Sequence, residues 1–332
     1  MNRSLILPTL LLFVIPNFVL EFASADAQIP TSSRIKLVRD DAKGQLQVMI
    51  DGKEAIVYCY GDGLDLAHYF PVRSPSGKSM TIQQTEPYPH HRSFWFGDKV
   101  QLPGKRTVNF YAALYSREAR DDPNSPFKDR VRHVEFEPQD LPENAAVVRS
   151  KLVWEMDRKV AVINESREMR IVPLDDGQYL LDVTFTLTAP TDDVTFVSDW
   201  VHYAWPFIRM HPRFSGQQGG TITNSEGAVT QANTNGQVSG GKAATWVDYS
   251  NEVNGQTEGL AIFSHPDNEH PHGWLTREYG CFGPRRADAK SGKRFTLEKG
   301  DSLRRRVGIF VHRGDVKSGK VTQHYEQYAK GL

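Results

Sequence analysis

Apolar and polar residues along this chain alternate mostly with a period of two. Residues 35–39, 45–50 and 54–60 read as three strands, separated by Asp40-Asp41-Ala42-Lys43-Gly44 and by Asp51-Gly52. Asp-Gly between alternating runs is a strong hairpin signal, so the chain opens as a β-meander. Residues 61–90 form a loop punctuated by Pro71, Pro75, Gly77, Pro87 and Pro89. Residues 93–98 and 106–115 have aromatic strand composition, with a polar loop at 121–128. Residues 131–137, 146–156, 166–172 and 179–188 continue the β pattern. In the last of these, Tyr179, Leu181, Val183, Phe185 and Leu187 fall on one face, opposite Leu180, Asp182, Thr184, Thr186 and Thr188. Such a strand is half buried against a second layer. The pattern continues through 195–201 and 202–210, then gives way to a Gly-, Asn-, Ser- and Thr-rich excursion over 215–242. It resumes at 244–249, 260–265, 275–279, 294–297 and 302–312. One helix is predicted, over 317–328, with Val321, Tyr325 and Tyr328 on one face.

About fifteen strands, one helix and no blade-length repeat predict an all-β fold: a large antiparallel β-sandwich with a short C-terminal helix. The basic Met1-Asn2-Arg3, the apolar run over 5–20 and the small residues Ala23, Ser24 and Ala25 predict a signal peptide over 1–27, with cleavage after Ala25 or Ala27. Residues 28–332 then form one domain, exported to the periplasm or outside the cell, with no integral membrane segment once the leader is cut. The 332 residues carry 40 basic and 40 acidic side chains. That balance gives no reason to expect nucleic acid as a partner. In an oxidising compartment Cys59 and Cys281 either bridge a long loop or pack as two buried thiols.

Candidate chemistry clusters in two histidine-bearing stretches. The first is Pro87-Tyr88-Pro89-His90-His91-Arg92-Ser93-Phe94-Trp95, where the prolines exclude a helix. If the backbone is extended, His90 and Arg92 share a face and His91 takes the other; if it is kinked at Pro89, His91 and Arg92 become the working pair. The second runs from His265 through Asp267, Glu269, His270 and His272 to Trp274. A histidine beside a carboxylate suits proton transfer. His90, His91 and His265 are therefore the acid–base candidates, with Asp248, Glu278 and Asp199 as carboxylates. Arg92 and Arg277 can anchor a substrate. Trp95, Trp205, Trp246 and Trp274 could stack on a sugar or fill the core. His265, His270 and His272 are weak candidates for a divalent metal, and no other cofactor is expected. No G-x-S-x-G elbow, G-x-G-x-x-G fingerprint or Walker loop is present.

The segments Tyr88-Pro-His-His-Arg-Ser-Phe-Trp-Phe96, Asn224-Ser-Glu-Gly227, Trp246-Val-Asp-Tyr-Ser250, Gly259 to Pro266, Trp274 to Gly280 and Phe310 to Asp315 together resemble the bacterial PmoA-like family, also known as DUF6807. The chain departs from that pattern at Leu275, Glu278 and the run Pro284-Arg285-Arg286-Ala287. The resemblance implies an exported protein acting among carbohydrates, with an architecture similar to the super-sandwich of sugar mutarotases. It implies catalytic roles for His90, His91, Asp248, His265 and Glu278, and substrate contacts from Arg92, Trp95, Trp246, Trp274, Arg277 and Tyr279. Three functions follow as expectations. The first is an enzyme (hydrolase, lyase or epimerase) using histidine and carboxylate acid–base chemistry on a small-molecule or oligosaccharide substrate. The others are a non-catalytic carbohydrate-binding or surface module, and a metal-binding oxidase-like protein as the family name suggests.

Overall fold

A computed structural model describes residues 34–138, 142–197, 203–230, 243–269, 273–286 and 294–331. The predicted leader, Asp199, His270 and His272 lie outside the described residues. Among those described, the strands form three antiparallel sheets. The first has eight strands in the order Ile35–Asp40, Gln45–Ile50, Lys53–Cys59, His68–Val72, Phe94–Trp95, Phe207–Arg209, Cys281–Arg285 and Gly273–Thr276. The second has nine, in the order Val229–Thr230, Thr221–Asn224, Trp246–Val253, Gln256–Ser264, Ser302–Arg313, Tyr179–Thr188, Val160–Pro173, Ala146–Met156 and Arg130–Phe136. A small third sheet joins Phe295–Leu297, Val194–Phe196, Lys99–Gln101 and Thr107–Asn109. The protein is a large antiparallel β-sandwich, as the period-two pattern predicts.

The core lies between the eight- and nine-stranded sheets. Tyr179, Leu181, Val183, Phe185 and Leu187 are all buried there, as their alternation requires. Phe94 and Phe96 meet Phe185 edge-on at 6.5 and 4.8 Å between ring centroids, so these two residues face the opposite sheet. The Tyr179 hydroxyl donates across the sandwich to the carbonyls of Ala55 (3.0 Å) and Arg73 (2.7 Å). The helix Val321–Ala329 covers the other side of the nine-stranded sheet. Its Val321 and Tyr328 are buried, and with Tyr325 they pack on Leu180, Trp246, Ala261, Phe263 and Phe310.

Two expectations need correction. The strand expected over 106–115 is only Thr107–Asn109, followed by a 3-10 helix, Phe110–Ser116. Asn109 Oδ1 accepts from the Ala112 amide (3.2 Å) and caps that turn, while Phe110 buries against Trp154. The strand expected over 93–98 shrinks to Phe94–Trp95. The loop before it is closed by successive turns, with Tyr88 N–H donating to Thr85 O and His91 N–H to Tyr88 O, so His90 and Arg92 are not related by strand alternation. Of the two alternatives open for the cysteines, the buried thiols are the one observed: Cys59 and Cys281 are both free and buried. They lie in the same sheet four strands apart, roughly 19 Å at the usual spacing and far beyond the ~7 Å Cα limit for a disulfide.

Candidate functional site

The loop from Met80 to Ser93 is tied by backbone hydrogen bonds to the strands His68–Val72 and Phe207–Arg209 of the eight-stranded sheet. Gln84 N–H donates to His91 O (2.9 Å), Ile82 N–H to Arg209 O (3.0 Å) and Arg209 N–H to Ser93 O (2.7 Å). These bonds hold the loop against the central strands and aim His91 and Arg92 at two adjoining neighbourhoods.

The first is aromatic. Phe94 and Phe96 face the core, so Trp95 between them points outward, where it meets His91 at 5.5 Å and stacks on Phe207 at 5.0 Å. Tyr88 stacks on His91 (4.8 Å, 16° between planes), and Tyr279 closes on Tyr88 at 5.1 Å. His91 Nε2 lies 2.7 Å from the Tyr111 hydroxyl. Burial, and then the charges of His90 and Arg209, push its pKa down to about 2. A histidine so enclosed is neutral near pH 7 and serves as a hydrogen-bonding strut. His90 is half-buried, with Nδ1 3.2 Å from the Tyr115 hydroxyl. Arg209 donates to the Tyr279 carbonyl and lies over its ring at 4.4 Å.

The second neighbourhood is polar and hollow. A cavity of about 700 Å³ is lined by Asp65, His68, Gln83 and Arg92, with Lys43, Arg117 and others around its wall. The size falls in the range of small-molecule sites. Its position follows from the strand His68–Val72: Tyr69 stacks on Phe94 in the core, so His68 turns to the outer face. Arg92 Nη2 donates to Asp65 Oδ1 at 2.5 Å in a pair that is almost wholly buried. His68 Nδ1 lies 2.9 Å from the Leu66 carbonyl. A carbonyl only accepts, so the proton sits on Nδ1 and Nε2 carries a lone pair. Burial first, and then the Arg92 charge, push the His68 pKa down to about 4, leaving Nε2 a neutral acceptor at physiological pH. Asp65 Oδ2 and Arg92 Nε are among the buried polar atoms without a hydrogen-bond partner, and the Gln83 side chain bonds to His68. Asp65, His68, Gln83 and Arg92 thus bring four polar side chains to one wall of the cavity.

Several residues singled out in the sequence lie elsewhere. Asp248 and Trp246 face the C-terminal helix side of the nine-stranded sheet. There Asp248 Oδ2 is 2.8 Å from His312 Nε2, both side chains being wholly enclosed. His265 lies on that side too, enclosed by Arg306, Asp267 and Tyr328; burial and the Arg306 charge lower its pKa. The sandwich core separates this group from His91. Trp95, Trp205, Trp246 and Trp274 are all buried. The Trp274 indole N–H donates to the Ala244 carbonyl (2.8 Å). Arg277 and Glu278 lie in the turn before Tyr279, their carbonyls accepting from the Tyr249 hydroxyl and the Gln217 amide. Of the candidates, His90, His91, Trp95 and Tyr279 therefore gather in the aromatic neighbourhood, and Arg92 in the cavity. Among the described residues no group of three or more His, Cys, Asp or Glu is placed to hold a metal ion.

Sequence reasoning passed over Asp65, His68 and Gln83. A usable signal was present: Asp65-Leu-Ala-His68 follows the Gly61-Asp62-Gly63 turn and leads into an apolar strand, where an ionisable residue needs a reason.

The chain is similar to solved α-galactosidases. The AgaB and AgaA enzymes from Geobacillus stearothermophilus match with TM-scores of 0.48 and 0.47 at 8% identity, over 86% of this chain and 42% of theirs. The α-galactosidase from Lactobacillus brevis matches at 0.41 and 9%, over 83% and 39%. The chain thus spans about two fifths of their length. No curated protein matches the sequence. A family profile described as "Family of unknown function (DUF6807)" matches residues 45–326, most of the chain, and the chain belongs to that family.

Proposed function

We propose that this is an exported, sugar-active protein that binds a neutral sugar in the Asp65–His68–Gln83–Arg92 cavity and performs proton transfer there. The observation that carries the reading is the convergence of Asp65, His68, Gln83 and Arg92 on the wall of one hollow of small-molecule size. Sugar hydroxyls both donate and accept and so suit this mixed wall of carboxylate, imidazole, amide and guanidinium, whereas an anion offers only acceptors and meets the Asp65 carboxylate. A sugar hydroxyl placed against His68 gives its proton to Nε2: the O–H bond breaks, an N–H bond forms, and the oxygen is left beside the Arg92 guanidinium. Asp65 offsets in part the burial and the Arg92 charge that disfavour the resulting imidazolium. Glycoside hydrolysis commonly uses two carboxylates across the scissile bond. Here Asp65 is committed to Arg92, and Asp41 to Arg39 and Tyr60. Asp62 on the rim is a further carboxylate, exposed and 4.0 Å from Arg130; His68 suits an epimerase- or mutarotase-type proton transfer. Export rests on the apolar leader pattern of residues 5–20; no described helix is long and apolar enough to cross a membrane.

The test is saturation-transfer NMR on the mature chain with glucose, galactose, xylose and rhamnose, together with anomer-exchange rates for each. Binding by at least one sugar, with exchange accelerated by the wild type and not by His68→Gln, is the expected result. Binding retained with no acceleration by the wild type would instead establish a non-catalytic sugar-binding module. No binding by any of the four would end the sugar reading.

A further inference from the structure

We infer that the cavity is one end of a longer cleft, and that a second hollow beside it takes a further sugar unit, making the ligand an oligosaccharide. The inference rests on the sugar-binding reading of the first cavity. The second hollow, about 510 Å³, is lined by Asn109, Tyr115, Ser116, Arg117, Lys128 and Asp129 among others. Arg117 lines both hollows. The 3-10 helix Phe110–Ser116 supplies Leu114 to the first and Tyr115 to the second, so one short element builds both walls.

Arg117 is fixed as the ridge between them. Its Nη1 donates to the Ser125 carbonyl at 2.5 Å, and its guanidinium lies 4.0 Å over the Phe127 ring. Tyr115 is 53% exposed, the one aromatic side chain left this open among the described residues, and His90 Nδ1 meets its hydroxyl at 3.2 Å. An exposed aromatic ring tethered at its hydroxyl edge is an amphipathic platform of the kind that stacks against the C–H face of a sugar. The charge of the second hollow is nearly balanced. Arg106 is held by Asp129 and Asp157, leaving Arg117 and Lys128 as its remaining cations. That balance suits a neutral saccharide better than a polyanion.

The experiment is calorimetric titration of the mature chain with glucose and galactose, with the dimers cellobiose, maltose and lactose, and with digalacturonate as the anionic probe. At least one neutral dimer is expected to bind tenfold or more tightly than its monomer. Tyr115→Ala should remove that gain while leaving monomer affinity within twofold and the thermal midpoint unchanged. A monomer that binds without any dimer gain would overturn the second subsite and leave the first cavity's reading intact, as would a gain that survives Tyr115→Ala. Tight, salt-sensitive binding of digalacturonate alone would overturn the neutral-ligand assignment. Binding by none of the probes would remove both readings.

Discussion

Replacing His68 with asparagine should remove one measurable share of the acid sensitivity of this fold, beside those of His91 and His133. Asparagine keeps an N–H for the Leu66 carbonyl and cannot titrate. In the native protein the His68 pKa is pushed from 6.5 down to about 4, whereas in the unfolded chain it returns to the ordinary value. Between those limits the unfolded state binds a proton that the native state does not, so stability rises with pH and is lost as pH falls. The full window is worth about 3 kcal/mol, and about 2.5 kcal/mol is gone by roughly pH 4.5. Urea unfolding of wild type and His68→Asn near pH 7.5 and pH 4.5 reads this directly. The wild type should lose about 2.5 kcal/mol more than the variant on acidification. A difference below about 1 kcal/mol would refute both the buried neutral imidazole and the linkage drawn from it.

Three more predictions follow from the packing. Asp65→Ala leaves the Arg92 guanidinium buried without its counterion and should cost about 3–5 kcal/mol in urea unfolding, whereas Asp65→Ala with Arg92→Met should cost markedly less; equal costs would mean the pair is not a unit. Gly259→Ala drives a methyl into the His312 ring and to 3.1 Å from Asp248 Oδ2. A loss of about 2 kcal/mol or more is expected, with the thermal midpoint as readout. Burial pushes the thiols of Cys59 and Cys281 up to about 11 and about 12. Two thiols should therefore titrate with a maleimide in denaturant and react slowly in the native state, and reductant should leave the thermal midpoint unchanged.

The sandwich was readable because burial here follows strand alternation: the Tyr179–Thr188 run declares its buried face residue by residue. The C-terminal helix was readable because Val321, Tyr325 and Tyr328 repeat at helical spacing. Local hydrogen bonds that compete with the strand were harder to see. The Asn109 side chain diverts an aromatic run into a 3-10 turn, and turn closure over 85–91 breaks the alternation that would have paired His90 with Arg92. The site was half visible. Clustered histidines drew attention to the loop that carries Arg92, but clustering in sequence says nothing about which side of a sheet a residue reaches. Asp248 and His265 occupy the far side of the nine-stranded sheet, while a single histidine in an ordinary strand, His68, lines the cavity. Its significance depends on the Leu66 carbonyl and on the depth of burial, both properties of the folded chain alone.

The four polar residues of the cavity, Asp65, His68, Gln83 and Arg92, all come from one stretch of 28 consecutive positions. The core beneath is drawn from the whole chain. The same stretch also sends Leu66, Tyr69, Val72 and Met80 into that core, so specificity and stability are written into one short segment. Re-tuning what the cavity accepts therefore means exchanging its polar side chains one at a time on an unchanged apolar pattern, because a block exchange of residues 61–93 would also replace the strand His68–Val72 and its core contacts.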